Sequence, residues 1–260
     1  MWIEFVGGVG TGKSSLATAL KERFRAADIA VNSPQEALER RLARSLPRAI
    51  CEGRPGQAAR WALLAGYQAR FSLNRPKLVW QSWNASRRLR HLPGWHRRII
   101  FSLFFEVAGW YDGLAYGLAP KPMVVVDEGL AHRSINLFAW QTGALDTRAI
   151  RAYFENLPEV PLTISVYAPV NVSLDRAYNR GLPRRLRGKD PRTIRRFIEN
   201  SHSIASLAEE ILIAHGRSVI KIDNTFGLEQ STAILCRQVA ETALFREYFP
   251  KRSPAAFVNS

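Results

Sequence analysis

Cysteine is scarce in this chain of 260 residues, which contains only Cys51 and Cys236, far apart in the sequence. The two form neither a CxxC pair nor a mixed cysteine–histidine pattern, which argues against a structural zinc site and against a disulfide framework. The sequence therefore predicts a reduced, cytoplasmic protein.

Long apolar runs are missing as well. The most apolar stretch, residues 99–105, is much shorter than the roughly 20 residues that a membrane-spanning helix needs. No signal peptide is expected, since a glycine-rich turn begins at Gly7 and leaves no room for one. Hydrophobic residues make up 47% of the chain and charged residues 23%, a balance typical of a globular domain.

Negative charge is in short supply, and the shortage is uneven. The formal net charge is +15. Residues 33–120 contain 14 arginines and lysines against 5 acidic residues, and residues 176–196 contain 9 against Asp190 alone. The excess positive charge is therefore concentrated in two segments, both suited to face a phosphate-bearing ligand.

Short apolar runs alternate with helical patterns, which predicts an α/β fold with a parallel central sheet and helices on both faces. Strands are predicted at residues 2–6, 29–32, 123–126, 162–167 and 218–222. Helices are predicted at residues 13–27, 133–141, 147–156, 170–179, 191–215 and 228–246. A mostly helical insertion is predicted over about 35–119, with breaks near Pro47, Gly53–Gly56, Pro76 and Pro93–Gly94. We interpret it as an elaboration of a single domain, residues 1–260.

The turn between the first predicted strand and helix matches the pattern GxxxxGK[ST] in full. Its residues are Gly7, Gly8, Val9, Gly10, Thr11, Gly12, Lys13 and Ser14. Glycines allow successive backbone N–H groups to surround phosphates, and the following helix adds its positive N-terminal end. We expect Lys13 to reach the β- and γ-phosphates of a nucleotide, Ser14 to ligate Mg²⁺ and Ser15 to contact the α-phosphate. We refer to Gly7–Ser15 as the glycine loop. Because of this motif, the predicted fold is that of a P-loop NTPase, with three α/β/α layers.

An acidic pair follows the predicted strand at residues 123–126. Asp127 is placed to hold Mg²⁺, directly or through water. Glu128 is either a base that accepts a hydroxyl proton or a solvated neighbour, and both readings stay open. Arg133, about one turn into the next helix, is either a ligand of an anionic acceptor or a plain surface arginine.

Residues 180–190 form a glycine-bounded stretch dense in arginine, which we call the basic segment. A mobile loop of this kind can close over a transferring phosphoryl group and neutralise its charge. A solvated surface loop or an RNA-binding loop is the alternative.

These features resemble the P-loop kinases of the nucleoside monophosphate kinase group, thymidylate kinase in particular. The resemblance rests on the glycine loop, on Asp127 after its strand, on the basic segment and on the last strand running into Asp223 and Asn224. It implies ATP as the nucleotide and places Asp223 and Asn224 near the adenine. It also implies that Arg180, Arg184 or Arg185 of the basic segment acts catalytically on the γ-phosphate. The motifs that differ from thymidylate kinases lie on the acceptor side, so the resemblance does not identify the acceptor.

Aromatic residues alternate with arginines in the insertion between Trp80 and Arg98. This composition suits a phosphorylated acceptor with a ring, single-stranded nucleic acid or an anionic membrane surface. The bland alternative is that the tryptophans are core residues and the arginines coat the outside.

Together these features predict an ATP- and Mg²⁺-dependent phosphotransferase that acts on a small anionic acceptor, with a nucleotide or nucleoside favoured. A regulatory P-loop ATPase and a nucleic-acid end kinase are the alternatives. A GTPase is disfavoured because the chain lacks the Asn-Lys-x-Asp sequence. Nucleic acid and a second copy of the chain stay open as partners, and peripheral membrane contact is open but not favoured.

Overall fold

The computed structural model describes residues 1–45, 53–117 and 123–250. The predicted break near Pro47, Cys51 and the last residues of the predicted insertion, 118–119, lie outside these described residues.

A parallel sheet of five strands forms the centre of the described structure. The strands are β1 (Trp2–Gly7), β2 (Val31–Asn32), β3 (Met123–Val126), β4 (Leu162–Tyr167) and β5 (Val219–Asp223). They lie in the order β2-β3-β1-β4-β5, and every neighbouring pair is parallel. The predicted α/β class with a parallel sheet is confirmed. Because β1 and β3 are neighbours, the glycine loop and Asp127 leave the sheet at the same edge.

Helices connect the strands and cover the sheet. They are α1 (Lys13–Ala26), α2 (Pro34–Ser45), α3 (Gly53–Asn74), α4 (Pro76–Arg88), α5 (Gly94–Gly117), α6 (Leu130–Phe138), α7 (Thr147–Glu155), α8 (Val170–Asn179), α9 (Pro191–Ala214), α10 (Leu228–Glu241) and α11 (Ala243–Tyr248). The predicted insertion is mostly helical where it is described. It leaves the helical conformation at Arg75 and at residues 89–93, next to the predicted breaks at Pro76 and Pro93, whereas the predicted break at Gly53–Gly56 is the first turn of α3.

The two faces of the sheet are buried in separate hydrophobic clusters. Ile3 and Phe5 of β1 pack in one cluster with Leu16 of α1 and Leu235 of α10. Val6, on the opposite face of the same strand, belongs to a second cluster built mainly by helices α4 to α9. This arrangement follows from the alternation of side chains along a strand, and it is compatible with three α/β/α layers.

At three points the observed element boundaries differ from the predicted ones. The second strand begins at Val31 and not at Ile29, because the Ile29 N–H is used by the end of α1, donating to the Phe24 carbonyl at 2.8 Å. Helix α6 begins at Leu130, three residues earlier than predicted. The closing helix is split at Thr242, whose extended backbone and hydroxyl, which accepts from the Phe245 N–H at 3.1 Å, start a new helix.

The apolar stretch at residues 99–105 lies inside α5. Ile100 and Phe104 point into the core, whereas Ile99 is 45% exposed. Across the described part of the chain, we find no helix whose length and hydropathy would let it cross a membrane.

Candidate functional site

The glycine loop adopts a backbone that only glycine tolerates at two positions. Gly10 and Gly12 have φ angles of 87° and 88°, in the left-handed region that other residues rarely adopt. A Cβ atom at Gly10 would also overlap the Ser173 carbonyl, and one at Gly12 would overlap the Asn224 side-chain amide. The loop therefore needs glycine at both positions for conformation and for space.

Hydrogen bonds from distant segments hold the loop in place. The Val9 N–H donates to the Ser201 hydroxyl of α9 at 2.9 Å. The Asn224 side-chain amide donates to the Thr11 carbonyl at 2.8 Å. The Thr11 hydroxyl closes the loop on itself by donating to the Gly8 carbonyl at 2.9 Å. The loop is thus fastened to the middle of α9 and to the residue that follows β5.

Lys13 is buried at the start of α1, and its ammonium group donates to the Gly8 carbonyl at 3.0 Å. Burial lowers the pKa of Lys13 to about 8, against the opposing attraction of Glu128 and Asp127. An anion brought next to this ammonium group would restore the charge balance that burial disturbs. Ser14 and Ser15 are exposed on the first turn of α1.

A cavity of about 720 Å³, which we call the central cavity, opens above Lys13. Its wall combines the glycine loop, the acidic strand end, the basic segment and the start of α5. The predicted site residues on this wall are Val9, Gly10, Gly12, Lys13, Ser14, Glu128, Arg180, Arg184 and Arg185. Segments that are far apart in the sequence are therefore brought to one space.

Other predicted site residues lie around the cavity and not on its described wall. Gly7 and Gly8 are packed beneath the loop, where a Cβ would meet the Val166 carbonyl and the His202 ring respectively. Asp127 is half-buried at the end of β3, and Ser15 is on the outer side of α1.

Glu128 is held by two neighbouring side chains of α6. Arg133 donates to its carboxylate at 2.9 Å, and the His132 Nε2 atom lies 3.8 Å from it. Arg133 is only 5% exposed and is absent from the described cavity wall. In this structure Arg133 orients Glu128, and its guanidinium is not directed at the space where we expected an acceptor.

The basic segment divides into a fastened arginine and several exposed ones. Arg185 donates to the Asn136 side chain, and its guanidinium lies 5.4 Å from the centre of the Phe197 ring. Burial lowers the pKa of Arg185 from its ordinary value. Arg180 and Arg184 are exposed along the same wall. Of these three arginines, Arg185 alone is thus held by other side chains of the described residues.

Asp223 and Asn224 occupy different environments. Asn224 is 3% exposed, and its side chain holds the glycine loop. Asp223 is exposed, accepts from the Thr225 N–H at 2.8 Å, and lines a separate cavity of about 340 Å³ together with Gly8 and Tyr167. The structure does not bring Asp223 to the central cavity.

His132 is a cavity residue that sequence reasoning missed. It lines the central cavity, is 1% exposed, and its Nδ1 atom is buried without a hydrogen-bond partner. Burial, reinforced by the positive charges of Lys13, Arg185 and Arg133, holds the pKa of His132 well below its usual range. The imidazole is therefore neutral and has a free polar atom. Its place one helical turn after Glu128 was the only available signal.

Glu4 was also missed, although it lies in the middle of β1. Its buried carboxylate accepts from the Tyr111 hydroxyl of α5 and from the Ala131 N–H at 2.6 Å. Burial raises the pKa of Glu4 to about 7. Because Ala131 lies in the first turn of α6, this contact explains why the helix begins early and fixes the turn that carries Glu128.

Wall residues of another kind come from the start of α5. Trp95 stacks on His96, with 5.3 Å between ring centres, and both line the central cavity. Trp95 is 64% exposed. They add a flat aromatic element on the side opposite the glycine loop.

Comparison with known proteins adds no relative: no protein-family model matches the chain, and no curated protein matches it either.

Proposed function

We propose that this chain is an ATP-dependent P-loop phosphotransferase that acts on a small anionic acceptor, with a nucleotide or nucleoside as the favoured class. The observation that carries the proposal is the central cavity, where Lys13 and the loop glycines face Glu128 and the arginines of the basic segment. Phosphoryl transfer depends on positioning and on neutralising charge, and this wall offers donors for both.

The glycine loop supports the nucleotide half of the proposal. Its sequence matches the phosphate-binding pattern, and the left-handed Gly10 and Gly12 both line the cavity. The N-terminal end of α1 adds a positive partial charge at the same point. The phosphates of ATP would lie against Gly10–Ser14, with Lys13 turning from the Gly8 carbonyl toward them. The preference for ATP rests on the family resemblance.

The donor set is compatible with Mg²⁺ held partly by the nucleotide. Within the described ranges there is no group of three histidine, cysteine or acidic side chains that could hold a metal by itself. Magnesium in phosphate sites commonly takes only one or two protein ligands. Ser14 in the first turn of α1 and Asp127 just after β3 would supply them. When bound, the ion would neutralise charge on the phosphates.

Glu128 and the arginines would act on the transfer itself. Glu128 lines the cavity, and its carboxylate is oriented by Arg133, which suits a base that accepts a proton from an acceptor hydroxyl. Arg180 and Arg184 are exposed and free to approach the transferring group, while Arg185 anchors the segment. The acceptor would occupy the side of the cavity formed by His132 and Trp95.

The test is ADP production from ATP and Mg²⁺ across a panel of acceptors. The panel contains nucleoside monophosphates, nucleosides, sugars and oligonucleotides with free 5′ ends. We expect turnover to rise sharply with one class and to vanish in Lys13→Ala, while Lys21→Ala on the same helix keeps it. Slow ADP production that no acceptor changes would contradict the phosphotransferase and favour the regulatory ATPase. Turnover with oligonucleotides alone would favour the nucleic-acid end kinase.

A further inference from the structure

Several large apolar side chains are exposed in the helices α3 to α5. Within residues 61–99 they are Trp61, Leu73, Trp80, Trp83, Trp95 and Ile99. The exposed fraction reaches 62% for Trp80 and 82% for Leu73. Exposed patches of this kind mark interaction sites, since a monomer in water gains nothing by displaying them.

The tryptophans of α4 join α5 in one surface. Trp80, Trp83 and Arg87 are spaced by three and four residues, so they share the outer face of α4. The Arg87 guanidinium lies 5.9 Å from the Trp83 ring centre, and Trp83 packs on Phe101 of α5 at 5.0 Å. Aromatic rings and positive charge therefore occupy the same exposed face.

A depression of about 320 Å³ lies in this face, and arginine dominates its lining. The lining residues are Asn84, Arg87, Arg88, Arg90 and Arg97. Arg88 pairs with Asp146 at 2.7 Å. No ion pair involves Arg87, Arg90 or Arg97 within the residues that the structure describes, and the Arg97 Nε atom is buried without a hydrogen-bond partner. We call this depression the arginine pocket.

The surrounding sequence carries no acidic residue that could neutralise the pocket from nearby. Residues 53–105 contain ten arginines and lysines and no aspartate or glutamate. Asp146 neutralises Arg88, but the remaining guanidinium groups repel one another unless an anion binds between them. The arginine pocket therefore has the chemistry of a site for a phosphate group.

We propose that the face formed by Trp80, Trp83 and the arginine pocket binds an anionic phospholipid bilayer, with a lipid phosphate in the pocket. Tryptophan is enriched at membrane interfaces, and basic clusters bind anionic lipid headgroups. Leu73, exposed at the end of α3 just before α4 begins, favours lipid over nucleic acid, because an aliphatic side chain can enter hydrocarbon but cannot stack on a base.

The proposed membrane face and the central cavity lie on different sides of α5. Trp95 and Ile99 line the cavity, whereas Arg97, about half a helical turn from each, lines the arginine pocket. The inference does not depend on the proposed enzymatic activity, since lipid binding needs no nucleotide.

The experiment is sedimentation of the purified chain with vesicles in the absence of nucleotide. One set of vesicles contains phosphatidylcholine alone, and the other contains equal parts of phosphatidylcholine and phosphatidylglycerol. The variants are Trp80→Ala and the pair Arg87→Ala/Arg90→Ala. The matched control is Arg25→Ala/Arg237→Ala, which removes two exposed arginines from α1 and α10 on the other face of the sheet.

We expect binding to the anionic vesicles, a blue shift of tryptophan fluorescence on binding, and weak binding to the neutral ones. Removing Arg87 and Arg90 should weaken binding about 30-fold, given the usual attraction of a basic residue to an anionic surface. Trp80→Ala should weaken it several-fold, and the control pair much less than Arg87→Ala/Arg90→Ala. Thermal unfolding of each variant shows that it is folded.

Three results would overturn the inference. They are failure of the wild-type chain to sediment with anionic vesicles, equal losses in the test pair and the control pair, and retention of a single-stranded oligonucleotide in preference to vesicles at physiological salt. The phosphotransferase assay is read separately, so its failure would leave a positive vesicle result intact.

Discussion

The glycine loop and the basic segment line the same cavity but are held in opposite ways. Gly10 and Gly12 have positive φ angles and neighbours so close that no Cβ would fit. Gly181 and Gly188 have similar angles, 84° and 72°, yet nothing lies within 4 Å of the position of a Cβ. Neighbouring atoms therefore restrain the left-handed conformation in the glycine loop, whereas no neighbouring atoms of the described residues restrain it in the basic segment.

The charged groups of the two regions differ in the same way. Lys13 is buried and bonded to its own loop, whereas Arg180 and Arg184 are exposed. A site that binds phosphate with low reorganisation needs fixed donors, and a site that admits and releases ligands needs a part that moves. The comparison teaches that one wall of the cavity is prepared before binding and that the other can respond to it.

The largest expected effect comes from placing a methyl group in each region. Gly10→Ala should lower the free energy of unfolding by about 3 kcal/mol, since left-handed strain is joined by overlap with the Ser173 carbonyl. Gly181→Ala introduces the left-handed backbone strain without an overlap, so it should lower the free energy of unfolding by about 1 kcal/mol. Chemical denaturation of both variants checks the difference. Equal losses would show that packing does not lock the loop.

The buried carboxyl group of Glu4 should make the stability of the protein depend on pH. The pKa of Glu4 is raised from 4.5 to about 7, so the folded state binds this proton more tightly than the unfolded state does. The contribution is complete below pH 4.5 and is lost as pH rises through 7, an effect of about 3 kcal/mol. Glu4→Gln removes the titrating group.

The measurement is the free energy of unfolding across that pH range for wild type and Glu4→Gln. Buried neutral histidines such as His132 oppose the trend, because their lowered pKa makes stability rise with pH below 6.5. They are common to both proteins and cancel in the difference. A difference that does not change with pH would contradict the burial of a titrating Glu4.

Substitutions at Asn224 and Asp223 distinguish a residue that holds the glycine loop from a neighbour that does not. Asn224→Ala removes the hydrogen bond to the Thr11 carbonyl and should cost about 1 kcal/mol of stability, with weaker ATP binding. Asp223→Ala removes an exposed carboxylate outside the central cavity and should change nucleotide affinity little. Calorimetric titration with ATP compares them. The reverse ranking would support the base-binding role that the family resemblance implies for Asp223.

The smallest stability effects are expected within the basic segment. Arg185→Ala loses the bond to Asn136 and the contact with Phe197, at a cost of about 1 kcal/mol. Arg184→Ala should change stability by less than about 0.5 kcal/mol because its side chain is exposed. If the proposed function is right, both lower turnover. Thermal unfolding and the ADP assay read the two properties separately, and equal destabilisation would contradict an anchored Arg185.

Patterns within short segments predicted much of the fold. Buried strands such as Met123–Val126 and Leu162–Tyr167 lie where their apolar runs predicted, because a parallel strand covered on both faces requires a continuous apolar sequence. Boundaries that depend on distant partners were less predictable. Helix α6 begins early because Glu4, 127 residues away in sequence from Ala131, accepts its N–H.

The sequence by itself determined the parallel α/β architecture, the position of the glycine loop through its GxxxxGK[ST] motif, and the location of the excess positive charge. These follow from local rules of periodicity, turn conformation and composition. Only the tertiary structure decided that Arg133 orients Glu128, that Asn224 holds the loop, and that the arginines of α4 and α5 share a pocket. Such roles depend on which distant segments come into contact. Asn224 and Thr11, for example, are 213 residues apart in the sequence, and no local pattern predicts that they form a hydrogen bond.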